Sequence, residues 1–156
     1  SYRLILYGNT ISNEKWNQLG LSEIAEYRGW LDYSKDVSTL KDIDVFLQLL
    51  DDNNVSKAGW PNKLGDYLAF GKPVILSPYG DIIDFVKNEK GFFIVEYNKY
   101  SILKILQEIK DIPYSDLKTM GYANRQLAEK ISWKNRAKNI EYICNKIRFN
   151  NETVKN

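Results

Sequence analysis

Apolar residues fall in short clusters between polar breaks, and the spacing within the clusters changes once along the chain. Tyr2-Arg-Leu-Ile-Leu-Tyr7 is an apolar run closed by Gly8-Asn9, which reads as a strand buried in a parallel sheet. Ser12 caps a short helix through Leu19, with Gly20 as its stop. Ile24–Trp30 reads as a weaker strand and 34–41 as a helix. Asp44–Leu50 is a second buried strand, broken by Asp51-Asp52-Asn53-Asn54. Pro61 suits the first turn of the next helix, where its missing N–H would be an orphan in any case. Leu64, Tyr67 and Leu68 form the apolar face of that helix, and Gly71 is placed to end it in a left-handed cap. Pro73–Ser77 follows as a strand, Pro78-Tyr79-Gly80 as a turn, 81–88 as a short helix and Phe92–Val95 as a last strand.

From Tyr100 onward the apolar period becomes helical. Ile102, Ile105, Leu106 and Ile109 share one face, and Ser115 can cap a helix reaching Lys130. Ser132 can cap another, whose apolar face is Trp133, Ala137, Ile140, Ile143, Cys144 and Ile147. Short strands alternating with helices predict an α/β fold: a Rossmann-like parallel sheet with helices on both faces, followed by C-terminal helices. One domain over 1–148 and a polar, frayed tail over 149–156 are expected. Ligands of such sheets sit beyond the carboxyl ends of the strands. That directs attention to the loops after Tyr7, Gly29, Leu50 and Ser77.

Composition narrows the chemistry. The 156 residues carry a formal net charge of +2 with Lys and Arg spread along the chain, which argues against a nucleic-acid partner held through many phosphates. There is no histidine, so Ser-His-Asp and Cys-His catalysis are excluded. The single cysteine, Cys144, can form neither an internal disulfide nor a zinc cluster, and reads as a small buried apolar residue. No apolar run is long enough to span a bilayer. A cytoplasmic protein is expected. The strand-like start, with no Met, suggests a fragment or a processed chain.

The loop Ala58-Gly-Trp-Pro-Asn-Lys63 leads into a helix N-terminus, which presents unpaired N–H groups and partial positive charge. Gly59 permits close approach to the backbone. Lys63 adds a full cation in the first turn, where the helix dipole alone disfavours it and a bound phosphate would reverse the penalty. Asp66 shares a face with Asn62 and Lys63 and can accept from a ribose diol. A solvated Lys63–Asp66 ion pair is the plainer alternative. Asp42 and Asp44 spell Asp-Ile-Asp, but Asp44 opens a buried strand, which argues against a metal site there.

The segment GWPNKLGDYLAFGKPVI, Gly59–Ile75, resembles the donor-site motif of group 1, or family 4, glycosyltransferases of GT-B fold. The Tyr27-Arg-Gly-Trp30 strand end, the Asp44–Leu50 strand, the Ser77–Gly80 turn and the Ser132-Trp133 helix start follow in the family's order. The resemblance extends from Leu4 to about Ile147. It implies the C-terminal domain of a two-domain enzyme that binds a nucleoside diphosphate sugar and transfers the sugar to an acceptor hydroxyl, in polysaccharide or glycoconjugate synthesis. It implies diphosphate and sugar contacts from Gly59, Pro61, Asn62, Lys63 and Leu64, a ribose contact from Asp66, Arg28 near the nucleobase, and Gly80 in the glycine turn.

No metal or other cofactor is implied, and no residue stands out as catalytic. The implied partner is the N-terminal acceptor-binding domain, without which the isolated chain would be inactive. The resemblance also leaves room for peripheral membrane association of the full protein. The chain departs from the family at Ala58, where a glutamate is usual, and at Asp66, which replaces a second glutamate. The rival readings are a non-catalytic flavodoxin-like regulatory module that binds a nucleotide or phosphate, and a nucleotide-sugar epimerase or other GT-B enzyme.

Overall fold

Leucine and isoleucine at the centre of the first apolar run form β1 (Leu4–Leu6), and β2 (Ala25–Tyr27) lies parallel to it with Leu4 opposite Ala25. Between them runs α1 (Asn13–Gln18), capped by the Ser12 hydroxyl accepting from the Lys15 N–H at 3.3 Å. Helix α2 (Val37–Leu40) follows, and the Tyr7 and Thr39 hydroxyls are hydrogen-bonded at 2.8 Å. The computed structural model describes residues 2–9, 12–35 and 37–153. These elements make up the first of two compact units, Ser1–Asp42, and the second is Ile43–Asn156.

The second unit is built on β3 (Phe46–Gln48), β4 (Val74–Leu76) and β5 (Phe92–Ile94), all parallel in the order β3-β4-β5. The described strands thus form two parallel sheets, where the sequence pattern suggests one. The central strand β4 is buried throughout, as expected of an apolar run flanked by a strand on each side. Register fixes what each face carries. Phe46 pairs with Val74 and Gln48 with Leu76, so these four share one face. Leu47, Ile75 and Phe93 lie on the other.

Helices cover both faces of this sheet. On the Phe46 face lies α4 (Asn62–Ala69), whose Tyr67 ring stacks on Phe46 with centroids 4.4 Å apart. Leu64 and Leu68, one turn apart on α4, have no exposed surface; each such burial is worth about 1.5–3 kcal/mol. Gly71 ends α4 at φ +65°, the left-handed conformation its position predicts. On the Ile75 face, Ile75, Val95 and Ile109 form a cluster with Val45, Leu49, Phe93, Ile102, Ile105 and Leu106. Ile102, Ile105, Leu106 and Ile109 come from α6 (Lys99–Asp111), capped by Asn98 accepting from the Ser101 N–H at 2.9 Å.

Helix α7 (Tyr114–Lys130) packs on α4. Gly121 allows this, because any Cβ there would collide with the Gly71 carbonyl. The fully buried Asn124 donates from Nδ2 to the Lys72 and Gly91 carbonyls, each at 2.9 Å. It therefore ties together the segments that enter β4 and β5.

Four local expectations need correction. Helix α7 begins at Tyr114 with Pro113 at its cap, and Ser115 lies inside the first turn. A helix the sequence pattern does not suggest, α3 (Asn54–Ala58), forms directly after the polar break, because Asn53 caps it by accepting from the Ser56 N–H at 2.8 Å. Helix α8 (Trp133–Thr153) starts under Ser132 as expected but continues through most of the supposed tail, where no glycine or proline stops it. Residues 154–156 lie outside the described residues. Cys144 is exposed rather than buried, as are Ile140, Ile143 and Ile147, because α8 meets the rest of its unit chiefly through its first turns.

Candidate functional site

The carboxyl end of β3 leads to a stretch in which strand end, loop and helix start surround a concavity. The Leu50 N–H donates to the Ser77 hydroxyl at 2.9 Å, so the ends of β3 and β4 are held together. Past Asn53, α3 turns the chain back, and residues 59–61 bring it to the start of α4. Gly59 is extended at φ −96°, and a Cβ there would lie 3.1 Å from the Val55 carbonyl, so the loop sits tight against α3.

Pro61 occupies the cap of α4 and offers no side-chain acceptor. The Leu64 N–H is used by the Pro61 carbonyl at 2.9 Å. The N–H groups of Asn62 and Lys63 bond to no described residue, as befits the orphan donors of a helix start. None of the ion pairs given for the described residues includes Lys63.

A cavity of about 360 Å³ opens over this helix start. Gln48 of β3, Leu50 just after it, Val55 and Ser56 of α3, and Gly59 through Lys63 line it. Trp60 meets Phe85, from α5 (Ile82–Val86), edge-on with ring centroids 5.3 Å apart. The Arg136 guanidinium of α8 lies 6.0 Å over the Trp60 ring and 5.5 Å over that of Trp133. An uncapped helix start with an exposed lysine in its first turn binds an anion well, and an aromatic wall beside it suits an apolar or ring-shaped group.

Of the residues singled out from sequence, Gly59, Pro61, Asn62 and Lys63 come together around this cavity. Leu64 does not line it: its side chain is core, and its N–H is already used. Asp66 is half-buried one turn further along α4, outside the cavity lining, and its charge contributes to raising the pKa of Tyr67, after burial as the larger cause. Gly80, at φ +82°, lies against α3 instead: a Cβ would stand 2.9 Å from the Ser56 carbonyl and 3.0 Å from that of Lys57. Arg28 belongs to the first unit, where its Nε donates to Glu26 at 2.7 Å and its Nη1 to the Tyr7 hydroxyl at 3.2 Å.

Two contributors escape the sequence reading. Gln48 is a polar residue inside an otherwise apolar strand run, a mismatch visible in the sequence. Its Oε1 is buried and accepts no hydrogen bond. Arg136 reaches Trp60 from far along the chain, and no local pattern announces that contact.

No protein-family model matches the sequence, and a search of curated proteins finds no match. Solved structures do match. Sucrose-phosphate synthase from Thermosynechococcus elongatus superposes with a TM-score of 0.71 at 16% identity, over 93% of this chain and 38% of that one. A glycosyltransferase from Rickettsia africae gives 0.68 at 19% identity, over 91% and 39%. HepE from Anabaena, in a complex with UDP and glucose, gives 0.63 at 14% identity, over 82% and 36%. The chain thus spans well under half the length of these structures, and its fold is that of a Rossmann-like part of the GT-B glycosyltransferases.

Proposed function

We propose that this chain is the donor-binding part of a glycosyltransferase, holding a nucleoside diphosphate sugar in the cavity over the start of α4. The observation that carries the reading is the pair of N–H groups at Asn62 and Lys63 that bond to no described residue, beside the Lys63 side chain, on a cavity at the carboxyl end of β3. The fold likeness supports it. HepE has been crystallised with UDP and with UDP-glucose, and this chain shares its fold over 82% or more of its own length.

In this reading the diphosphate lies across the Asn62 and Lys63 amides, with the Lys63 ammonium on its outer side. Breaking the bond between the anomeric carbon and the β-phosphate oxygen leaves negative charge on that oxygen. Donors already aimed there stabilise the departing group more than the intact donor, which is the condition for acceleration. Lys63 and the helix start supply the opposing positive charge without a metal ion. Asp66, one turn further along α4 and beyond the cavity lining, would meet a ribose diol that extends out of the cavity. The acceptor hydroxyl, bound by a separate N-terminal domain, would form the new bond to the anomeric carbon of a hexose and lose its proton to the departing phosphate or to solvent, in polysaccharide or glycoconjugate synthesis at the cytoplasmic side of the membrane. The chain alone would bind donor without turning it over.

Thermal unfolding in the presence of a chelator tests this reading. UDP or GDP should raise the melting temperature, and Lys63→Ala and Asp66→Ala should each shrink the rise. A rise that ignores both substitutions would remove the site assignment, and no rise with any nucleoside diphosphate would remove the function.

A further inference from the structure

Gln48 stands out among the residues that line the cavity. On its face of the sheet its neighbours in register are apolar: Phe46 before it, and Val74 and Leu76 on β4. A leucine or valine would suit such a position, and burying an unpaired amide oxygen is unfavourable. The Gln48 Oε1 is buried without a partner, and the residue forms part of the cavity wall. Turning the amide over would only exchange an orphan acceptor for an orphan donor. The other buried orphan, Oδ1 of Asn124, belongs to a side chain whose Nδ2 makes two hydrogen bonds and which does not line the cavity. Gln48 has no such structural duty among the described residues.

We infer that Gln48 is a specificity-determining residue that hydrogen-bonds a hydroxyl of the transferred sugar. This rests on the nucleotide-sugar reading of the same cavity. The chemistry selects the hydroxyl. Phosphate oxygens at neutral pH are acceptors only: they can pair with the amide NH2 but leave the buried Oε1 without a donor. The one cation of the cavity lining, Lys63, and the N–H groups of Asn62 and Lys63, which bond to no described residue, are what suit a diphosphate. A sugar hydroxyl both donates and accepts, so it can satisfy either end of the amide with a small rotation of the side chain. A site that keeps a buried polar group for its ligand also rejects a ligand lacking the matching group, because the group then stays unpaired.

The test compares Gln48→Met, which keeps length and volume without a strong hydrogen-bonding group, and Gln48→Leu with the wild type. Calorimetric titration of the 156-residue chain is run with UDP and UDP-glucose, and with GDP and GDP-mannose. Both variants should fold with unchanged or raised melting temperature, since an orphan is removed. Each should bind the nucleotide sugar roughly two- to tenfold more weakly while binding the matching nucleoside diphosphate as before. Equal affinity for the nucleotide sugar in all three proteins would overturn the role. So would an equal loss for nucleotide and nucleotide sugar, which would place Gln48 against the nucleoside. Failure of the wild type to bind any of the four would instead overturn the nucleotide-sugar reading beneath it.

Discussion

Asn124 offers the sharpest test of how the second unit holds its site in shape. It is fully buried, and one amide group donates to carbonyls from two loops, at Lys72 and Gly91. The Gly91 carbonyl also accepts from the Val74 N–H at 3.0 Å, so it keeps a partner when Asn124 is truncated. Asn124→Ala removes two hydrogen bonds, at about 1 kcal/mol each, strips the Lys72 carbonyl of its Asn124 bond and opens a small cavity. It also relieves the unpaired Oδ1, which offsets about 1 kcal/mol. The net loss should be about 2–3 kcal/mol, read as a lower urea midpoint at unchanged slope.

Asn124→Asp separates hydrogen bonding from packing. The new carboxyl keeps the volume but faces two carbonyl oxygens in a buried place, so its folded pKa is raised above the unfolded value of about 3.9. The folded state then holds the proton more tightly. Stability present below the unfolded pKa is lost as pH rises through the folded one, so the deficit against wild type should grow from pH 4 to pH 7. An alanine loss below about 0.5 kcal/mol, or an aspartate deficit independent of pH, would refute the clamp.

Other substitutions probe the site itself. Gly80→Ala puts a side chain at φ +82° and 2.9 Å from the Ser56 carbonyl, and should lower stability by roughly 1–3 kcal/mol in chemical denaturation. Lys63→Ala should weaken nucleoside diphosphate binding about tenfold at low ionic strength and clearly less at high salt, because the ammonium is exposed; isothermal titration at two salt concentrations measures both. Trp60→Ala removes an aromatic wall that contacts Phe85 and Arg136, and should weaken binding while leaving the far-UV circular dichroism unchanged.

Local signals in the sequence carried much of this structure. Pro61 and Gly71 bracket α4, and the Gly59–Lys63 loop can be placed at a strand's carboxyl end from the apolar period alone. Features that depend on distant partners were not legible. Asn124 bonds a carbonyl 52 residues away, and nothing around it in sequence says so. Leu64 could be assigned to the core face or to the ligand, and only the Pro61 carbonyl and its burial decide it. Gly80 looks like a ligand-facing glycine but makes room for the α3 backbone. Helix α3 hides behind a run of Asp and Asn, which signals a break and a helix cap equally well. The partition of the strands into two sheets depends on pairing, which apolar runs do not encode.

The most direct measurement is a titration of the ¹⁵N-labelled chain with UDP, without metal, followed through amide chemical shifts. Binding at the start of α4 predicts that the Asn62 and Lys63 amides move most, with Gly59 and Trp60 beside them and the α6 amides still. Saturable binding that leaves Asn62 and Lys63 unmoved, or no binding at millimolar UDP or GDP, would contradict the assignment of this cavity to a nucleoside diphosphate sugar.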